Sequence, residues 1–307
     1  MADIRILDGG MSRELVRLGA ELRQPEWSAL ALVNSPDIVR QVHTEFIAAG
    51  ADIVTTNSYA LVPFHIGEER FRTEGPALID LSGKLARQAA DAVSDRKATV
   101  AGSLPPIFGS YEPELFDPNR VQDYLSVLVA GLQPHIDVWL GETLSLIAEA
   151  EAVRTAVSDT RKPLWISFTL DDSDEGIENQ TSRLRSGELV ADAAEWAVRA
   201  GVAVLLFNCS KPEVMEAAIA TAARIRDAAK SRLELGVYAN AFETESDDGA
   251  ANETLHSTRD DLTADAYTDF AARWARAGAT VIGGCCGIGA AHICRLANRL
   301  KDKPLTA

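Results

Sequence analysis

Val202-Ala203-Val204-Leu205-Leu206-Phe207-Asn208-Cys209-Ser210-Lys211-Pro212-Glu213-Val214 carries the plan of the chain in one unit. An apolar run of strand length ends on a polar pair, and Pro212 then opens a stretch of helical periodicity from Glu213 to Ala229. Working outward, the same order of strand and helix recurs from end to end. Further strands are expected at Ile4–Leu7, Ile53–Thr56, Thr99–Ser103, Val138–Gly141, Leu164–Thr169, Leu235–Ala239 and Thr280–Ile282. Helical patterns fill the intervals at Ala77–Val93, Arg120–Leu132, Leu144–Val157, Glu188–Ala200, Ala264–Ala277 and Ala290–Leu300. Ser35-Pro36 marks another helix start, and Gly50, Gly201 and Gly278 stand where helices should stop.

Eight strands each followed by a helix predict a single-domain α/β protein, a (β/α)8 TIM barrel spanning residues 1–307. A doubly wound sheet is the competitor. It would not require eight units, and Asp8-Gly9-Gly10-Met11-Ser12 is too short for its phosphate loop. Barrel sites lie at the carboxyl ends of the strands, which places Asp8, Asn57, Ser103, Glu142-Thr143, Thr169, Asn208-Cys209, Asn240 and Cys285-Cys286 around one mouth. Two long loops, 171–186 and 243–261, are expected to be functional lids or mobile segments.

Cys209 ends strand six, and Cys285-Cys286 end strand eight after Gly283-Gly284. These two strands flank strand seven, so three thiolates can meet at one ion. The glycines are expected to let the backbone bend sharply enough for adjacent cysteines to face it. Thiolates at tetrahedral geometry select zinc, and three protein ligands leave a fourth position open, as in catalytic sites. Three negative ligands make a poor activator of water but suit a substrate thiol, which the metal keeps deprotonated at neutral pH. Methyl transfer to that sulfur is the matching reaction. Cys294 falls inside the last helical pattern and is expected in the core, and His43 reads as structural.

Composition narrows the partners. The chain has 307 residues, 47% hydrophobic, with a formal net charge of −15, which opposes nucleic-acid binding because phosphate contacts need clustered Lys and Arg. The longest apolar run, Val202 to Phe207, is too short to cross a bilayer. The amino terminus lacks the pattern of a signal peptide. A cytoplasmic address follows, and there four cysteines should be thiols rather than a disulfide frame.

Taken together the chain resembles the homocysteine S-methyltransferases. The resemblance runs from Asp8-Gly9-Gly10-Met11 through Trp27-Ser28-Ala29, Ala49-Gly50-Ala51-Asp52-Ile53-Val54-Thr55-Thr56-Asn57-Ser58-Tyr59, Glu142-Thr143 and Asn208-Cys209 to Gly283-Gly284-Cys285-Cys286-Gly287. It implies zinc (Zn2+) on Cys209, Cys285 and Cys286, which are then the catalytic residues. It also implies that Asp8 and Glu142 take the ammonium of homocysteine and that backbone N–H groups near Gly9 and Gly10 take its carboxylate. Asn208, beside the first cysteine, is counted with the substrate-binding residues. Taken alone, Asp8 also reads as a helix cap and Glu142 as half of an ion pair.

Departures from the family pattern cluster in loops: Gly102-Ser103-Leu104-Pro105 after strand three, Tyr238-Ala239-Asn240-Ala241 after strand seven, and Gly287-Ile288-Gly289-Ala290 after the cysteines. They leave the metal ligands intact and the methyl donor open. Since the chain ends at Ala307, a small sulfonium or quaternary ammonium donor is expected, S-methylmethionine foremost. Trp27, Phe64, Tyr111 and Tyr238 are the aromatic candidates to hold such a cation. A zinc hydrolase or lyase on the same barrel, and a non-catalytic thiol- or metal-binding protein, are the alternatives.

Overall fold

A computed structural model describes residues 3–94, 97–178, 182–242 and 259–301. Its strands are β1 (Arg5–Ile6), β2 (Ile53–Thr55), β3 (Thr99–Leu104), β4 (Val138–Leu144), β5 (Leu164–Phe168), β6 (Val204–Asn208), β7 (Glu234–Ala239) and β8 (Val281–Gly284). All pair in parallel in the order β1-β8-β7-β6-β5-β4-β3-β2. A parallel bridge between Leu7 and Ile53 joins the two ends, so the sheet comes round as a (β/α)8 barrel.

Period-two alternation divides each strand between two cores. Leu7, Ile53, Ala101, Leu140, Trp165, Leu206, Tyr238 and Val281 fill the barrel interior. Their strand neighbours Ile6, Val54, Val100, Trp139, Ile166, Leu205, Val237 and Ile282 face the surrounding helices. Two residues further along, the same alternation brings Thr55, Ser103, Glu142, Ser167 and Asn208 to the inner face at the carboxyl end of the barrel. Above the apolar floor the barrel is therefore polar.

The strand ends expected from the sequence move by one to three residues. β4 runs through Glu142 to Leu144, where a helical start was expected, and its helix begins at Ile147. There the Glu149 carboxylate accepts the backbone N–H groups of Ser145 and Leu146 at 2.7 and 3.0 Å. The helix expected from Glu188 begins at Val190, because Arg183 and Leu189 form an antiparallel bridge and Leu184 N–H donates to Glu188 O. Pro36 and Pro212 open their helices, and Gly50, Gly201 and Gly278 follow helix ends with φ of +112°, +69° and +120°.

The long loop at 171–186 is built rather than open where it is described, with a helix at Asp174–Glu178 and an antiparallel bridge from Leu170 to Leu184. Most of 243–261, residues 243–258, lies outside the described residues. Cys294 is exposed, not core: its helix, Ala290–Leu300, turns Ile293, Leu296 and Leu300 inward and leaves position 294 on the outer face. No helix among the described residues is long and apolar enough to cross a membrane.

Gly236 lies inside the barrel on β7, between β6 and β8. A Cβ there would meet the Val281 carbonyl oxygen at 2.7 Å and Leu206 Cδ2 at 2.8 Å. Gly236→Ala should cost about 1–3 kcal/mol and lower Tm by several degrees in a thermal melt; an unchanged Tm would show that the interior has slack.

Candidate active site

The mouth of the barrel opens into a cavity of about 1130 Å³, counted out to open solvent. Asp8, Gly9, Gly10, Glu142, Cys209, Cys285 and Cys286 all line it. The sequence therefore placed seven of its eight site residues on one surface. Asn208 does not line the cavity.

The cysteines converge because of strand register. Asn208 pairs with Tyr238, Tyr238 with Gly283 and Ala239 with Gly284, so Cys209, just beyond β6, stands beside Gly284 and one residue short of Cys285. The Cα atoms of Cys209 and Cys285 are 5.7 Å apart, and the three sulfurs lie within 4.8 Å of one another. Tetrahedral zinc with Zn–S of about 2.3 Å needs sulfurs roughly 3.8 Å apart; Cys285 Sγ and Cys286 Sγ stand at 4.0 Å. With Cys209 and Cys285 reduced, three thiolates are a donor set that suits that ion.

Two of the sulfurs come close enough to pair. Cys209 and Cys285 are joined as a disulfide, while Cys286 and Cys294 are free. A Cα separation of 5.7 Å falls in the range a disulfide spans, so the same convergence that suits a metal also suits oxidation. Burial pushes the Cys286 thiol up to about 12; the Glu142 charge adds to this and the Arg13 charge opposes it.

The two glycines before the cysteines do a different job from the one expected. Gly283 and Gly284 are ordinary strand residues, and the positive φ, +83°, belongs to Gly287 just after the cysteines. What β8 needs is close approach: a Cβ on Gly284 would meet Ile288 Cγ2 at 2.1 Å, and one on Gly283 would meet Leu7 Cβ at 2.6 Å.

The two carboxylates are neither a helix cap nor half of an ion pair. Asp8 accepts the Thr55 backbone N–H at 2.7 Å and the Thr55 hydroxyl at 3.1 Å. Glu142 accepts the Ser103 hydroxyl, and the Tyr238 hydroxyl at 3.1 Å. Burial pushes Asp8 up to about 8 against the pull of Thr55, and the Glu142 charge adds to it. Burial also raises Glu142, opposed by Ser103 and Tyr238. Two buried acids facing one cavity leave it strongly disposed to take a cation.

Asn208 is spent on the scaffold. Its Oδ1 accepts the Thr143 N–H at 3.1 Å and the Ser167 hydroxyl at 2.7 Å, and its Nδ2 donates to Thr143 Oγ1 at 2.9 Å. It is fully buried, stands behind the cavity wall and holds the Glu142-Thr143 corner. Gly10 is also engaged, since its N–H donates to Ile288 O at 2.9 Å.

Trp27, Tyr111, Thr143 and Cys209 all have positive φ, at +43°, +68°, +62° and +46°, and all four line the cavity. Such backbone costs about 1–3 kcal/mol per residue and concentrates at functional sites. Trp27, Tyr111 and Tyr238 line the cavity as the sequence suggested; Phe64 does not, being 38% exposed and packed edge-on against His65. His65 is buried with Nδ1 3.0 Å from Pro25 O and stands behind Trp27. His43 is wholly buried in its helix and held neutral, its pKa lowered to about 4 by burial.

Sequence reasoning gave no role to several lining residues, among them Arg13, Tyr59, Ser110 and Phe242. Tyr59 ends a stretch already singled out. Phe242 follows the strand-seven end, and Arg13 belongs to the first turn of the helix Met11–Arg17.

Comparison with known proteins agrees with this geometry. The family model for homocysteine S-methyltransferase matches residues 5–300. Homocysteine S-methyltransferase of Escherichia coli (strain K12) is 32% identical, covering 97% of this chain and 95% of that one. Homocysteine S-methyltransferase 1 of Arabidopsis thaliana is 28% identical over 92% and 88%. The crystal structure of the metallated form of the homocysteine methyltransferase MmuM from Escherichia coli superposes with a TM-score of 0.78 at 28% identity, covering 97% and 96%. Its oxidized form gives the same TM-score. A barrel mouth that gathers three cysteines and two buried acids, on a chain matched from residue 5 to residue 300, belongs to the homocysteine S-methyltransferase family.

Proposed function

We propose that the protein moves a methyl group from a small sulfonium or quaternary ammonium donor to the sulfur of homocysteine, giving methionine. The observation that carries this reading is the shared cavity: three sulfurs and two buried carboxylates line the same space. The sulfurs suit a soft metal, and the carboxylates suit an ammonium. A small thiol that also bears an amino group satisfies both ends.

In the reduced protein Cys209, Cys285 and Cys286 would hold zinc. When bound, the ion keeps a substrate thiol deprotonated and nucleophilic at neutral pH. Asp8 and Glu142 fix the ammonium, and Thr55, Ser103 and Tyr238 fix the two carboxylates. Homocysteine loses its thiol proton to solvent, and its sulfur electron pair forms the new S–CH3 bond. The bond from the methyl carbon to the donor sulfur or nitrogen breaks, and its electron pair leaves with a neutral thioether or amine.

The aromatic wall supports a cationic donor. Trp27, Tyr59 and Tyr238 line the cavity beside the sulfurs. Tyr111 contributes less, because the Arg185 guanidinium covers one face of its ring at 4.6 Å. No histidine lines the cavity among the described residues, which leaves a water-activating hydrolase or lyase without an imidazole base. S-methylmethionine is the favoured donor. A direct assay offers homocysteine with S-methylmethionine, betaine, dimethylsulfoniopropionate or S-adenosylmethionine to reduced, zinc-loaded protein and detects methionine by mass spectrometry; no methionine from any donor would refute the reading.

Cys285→Ser should reduce bound zinc well below one per chain and lower kcat/KM on the order of a thousand-fold. Wild-type zinc content and rate in this variant would exclude Cys285 as a ligand.

A pH signature follows from Asp8. The unliganded acid is pushed up to about 8, so near pH 7 it is mostly protonated, and an ammonium arriving beside it favours the carboxylate. Methionine, which has no thiol proton to lose, should therefore release on the order of one proton on binding at pH 7, falling toward zero above pH 9. Calorimetry in buffers of different ionisation enthalpy reads this directly. In Asp8→Asn the release should vanish; equal release in the variant would move its source elsewhere.

A further inference from the structure

We infer that Arg13 is the carboxylate anchor of this site, the residue that makes it select zwitterionic amino-acid-like ligands. The inference rests on the reading above that the ligand is an amino-acid thiol or its methylated donor.

The cavity has an excess of acid. Asp8, Glu142 and three sulfurs face it, and among the described residues Arg13 is the sole Lys, Arg or His that lines it. An ammonium matched to the two acids comes with a carboxylate that needs a partner of opposite sign. Backbone N–H groups at Gly9 and Gly10 are the simplest receptor, but the Gly10 N–H already donates to Ile288 O at 2.9 Å. Both glycines also press against the β8 end: a Cβ on Gly9 would meet Ile288 O at 2.2 Å, and one on Gly10 would meet Cys285 O at 2.5 Å. The segment is thus packed for close approach to the metal strand, and Arg13, just beyond it, adds a charged donor on the cavity wall.

Arg13 stands three residues past Gly10 and five past Asp8, one turn into the helix that β1 feeds. The α-ammonium and α-carboxylate of an amino acid are neighbours, so their receptors should be neighbours too. Asp8 and Arg13 meet that condition on a single short segment. A guanidinium presents paired N–H donors that match a carboxylate in plane, which a lysine cannot reproduce.

Both the thiol and the donor bear a carboxylate, and enzyme kinetics separates them. Arg13→Met and Arg13→Lys are compared with wild type using homocysteine, its carboxylate-free analogue 3-aminopropane-1-thiol, S-methylmethionine and the carboxylate-free trimethylsulfonium ion. Arg13→Met should raise KM for homocysteine about 10- to 100-fold with kcat within a few-fold, and weaken methionine binding by calorimetry to the same degree. Arg13→Lys should recover part of the loss, and KM for 3-aminopropane-1-thiol should not move. If KM rises for S-methylmethionine alone, with trimethylsulfonium unaffected, the anchor stands and holds the donor. Unchanged KM for both carboxylate-bearing ligands, or an equal loss for the carboxylate-free pair, would overturn it. Absence of methyl transfer in the wild type would instead strike the proposed reaction, while the methionine titration would still report on Arg13.

Discussion

The register between β6, β7 and β8 is the constraint on which the site depends. Parallel pairing sets Asn208 level with Tyr238 and Tyr238 level with Gly283, so Cys209 and the Cys285-Cys286 pair leave the barrel within one or two residues of each other in register. A slip of one residue would shift a sulfur by about 3.3 Å and turn its side chain to the other face. The glycines at 283 and 284 hold this register from outside the chemistry, by letting β8 lie hard against β1 and against Ile288. On the other side of β6, Asn208 ties the strand end to Thr143 of β4 and Ser167 of β5.

Electrostatics then decides what the cavity accepts. Burial disfavours the charged forms of Asp8, Glu142 and Cys286 alike, and each ionised group makes the next harder to ionise. Cations relieve this: a metal among the sulfurs, an ammonium between the acids, and a sulfonium or quaternary nitrogen against the aromatic wall. The protein's own hydrogen bonds hold the acids in place without neutralising them, since their donors are hydroxyls and a backbone N–H. The site is preorganised for positive charge, with Arg13 set against it for the negative end of a zwitterion.

Much of this was legible in the sequence, for definite reasons. The barrel announces itself through repetition, and the strand ends through the step from apolar runs to polar residues, which is why Asp8, Glu142 and the three cysteines were found. Local pattern says less about what a polar atom is bonded to. Asn208 was read as touching substrate, yet its amide is used up by two neighbouring strands. Gly283-Gly284 was read as a hinge, when the need is space and the turning residue is Gly287. Arg13 carried no motif and became visible only when the helix after β1 placed it on the cavity wall. The pairing of Cys209 with Cys285 uses the same convergence of strand ends that the sequence implied for a metal.

The central claim, that Cys209, Cys285 and Cys286 form one thiolate site with a position open to substrate sulfur, is tested most directly by zinc K-edge X-ray absorption on reduced, zinc-loaded protein. The account predicts three sulfur scatterers at about 2.3 Å in the free protein and a fourth on adding homocysteine. Zinc coordinated by nitrogen and oxygen alone, or a sulfur count that homocysteine leaves unchanged, would contradict it.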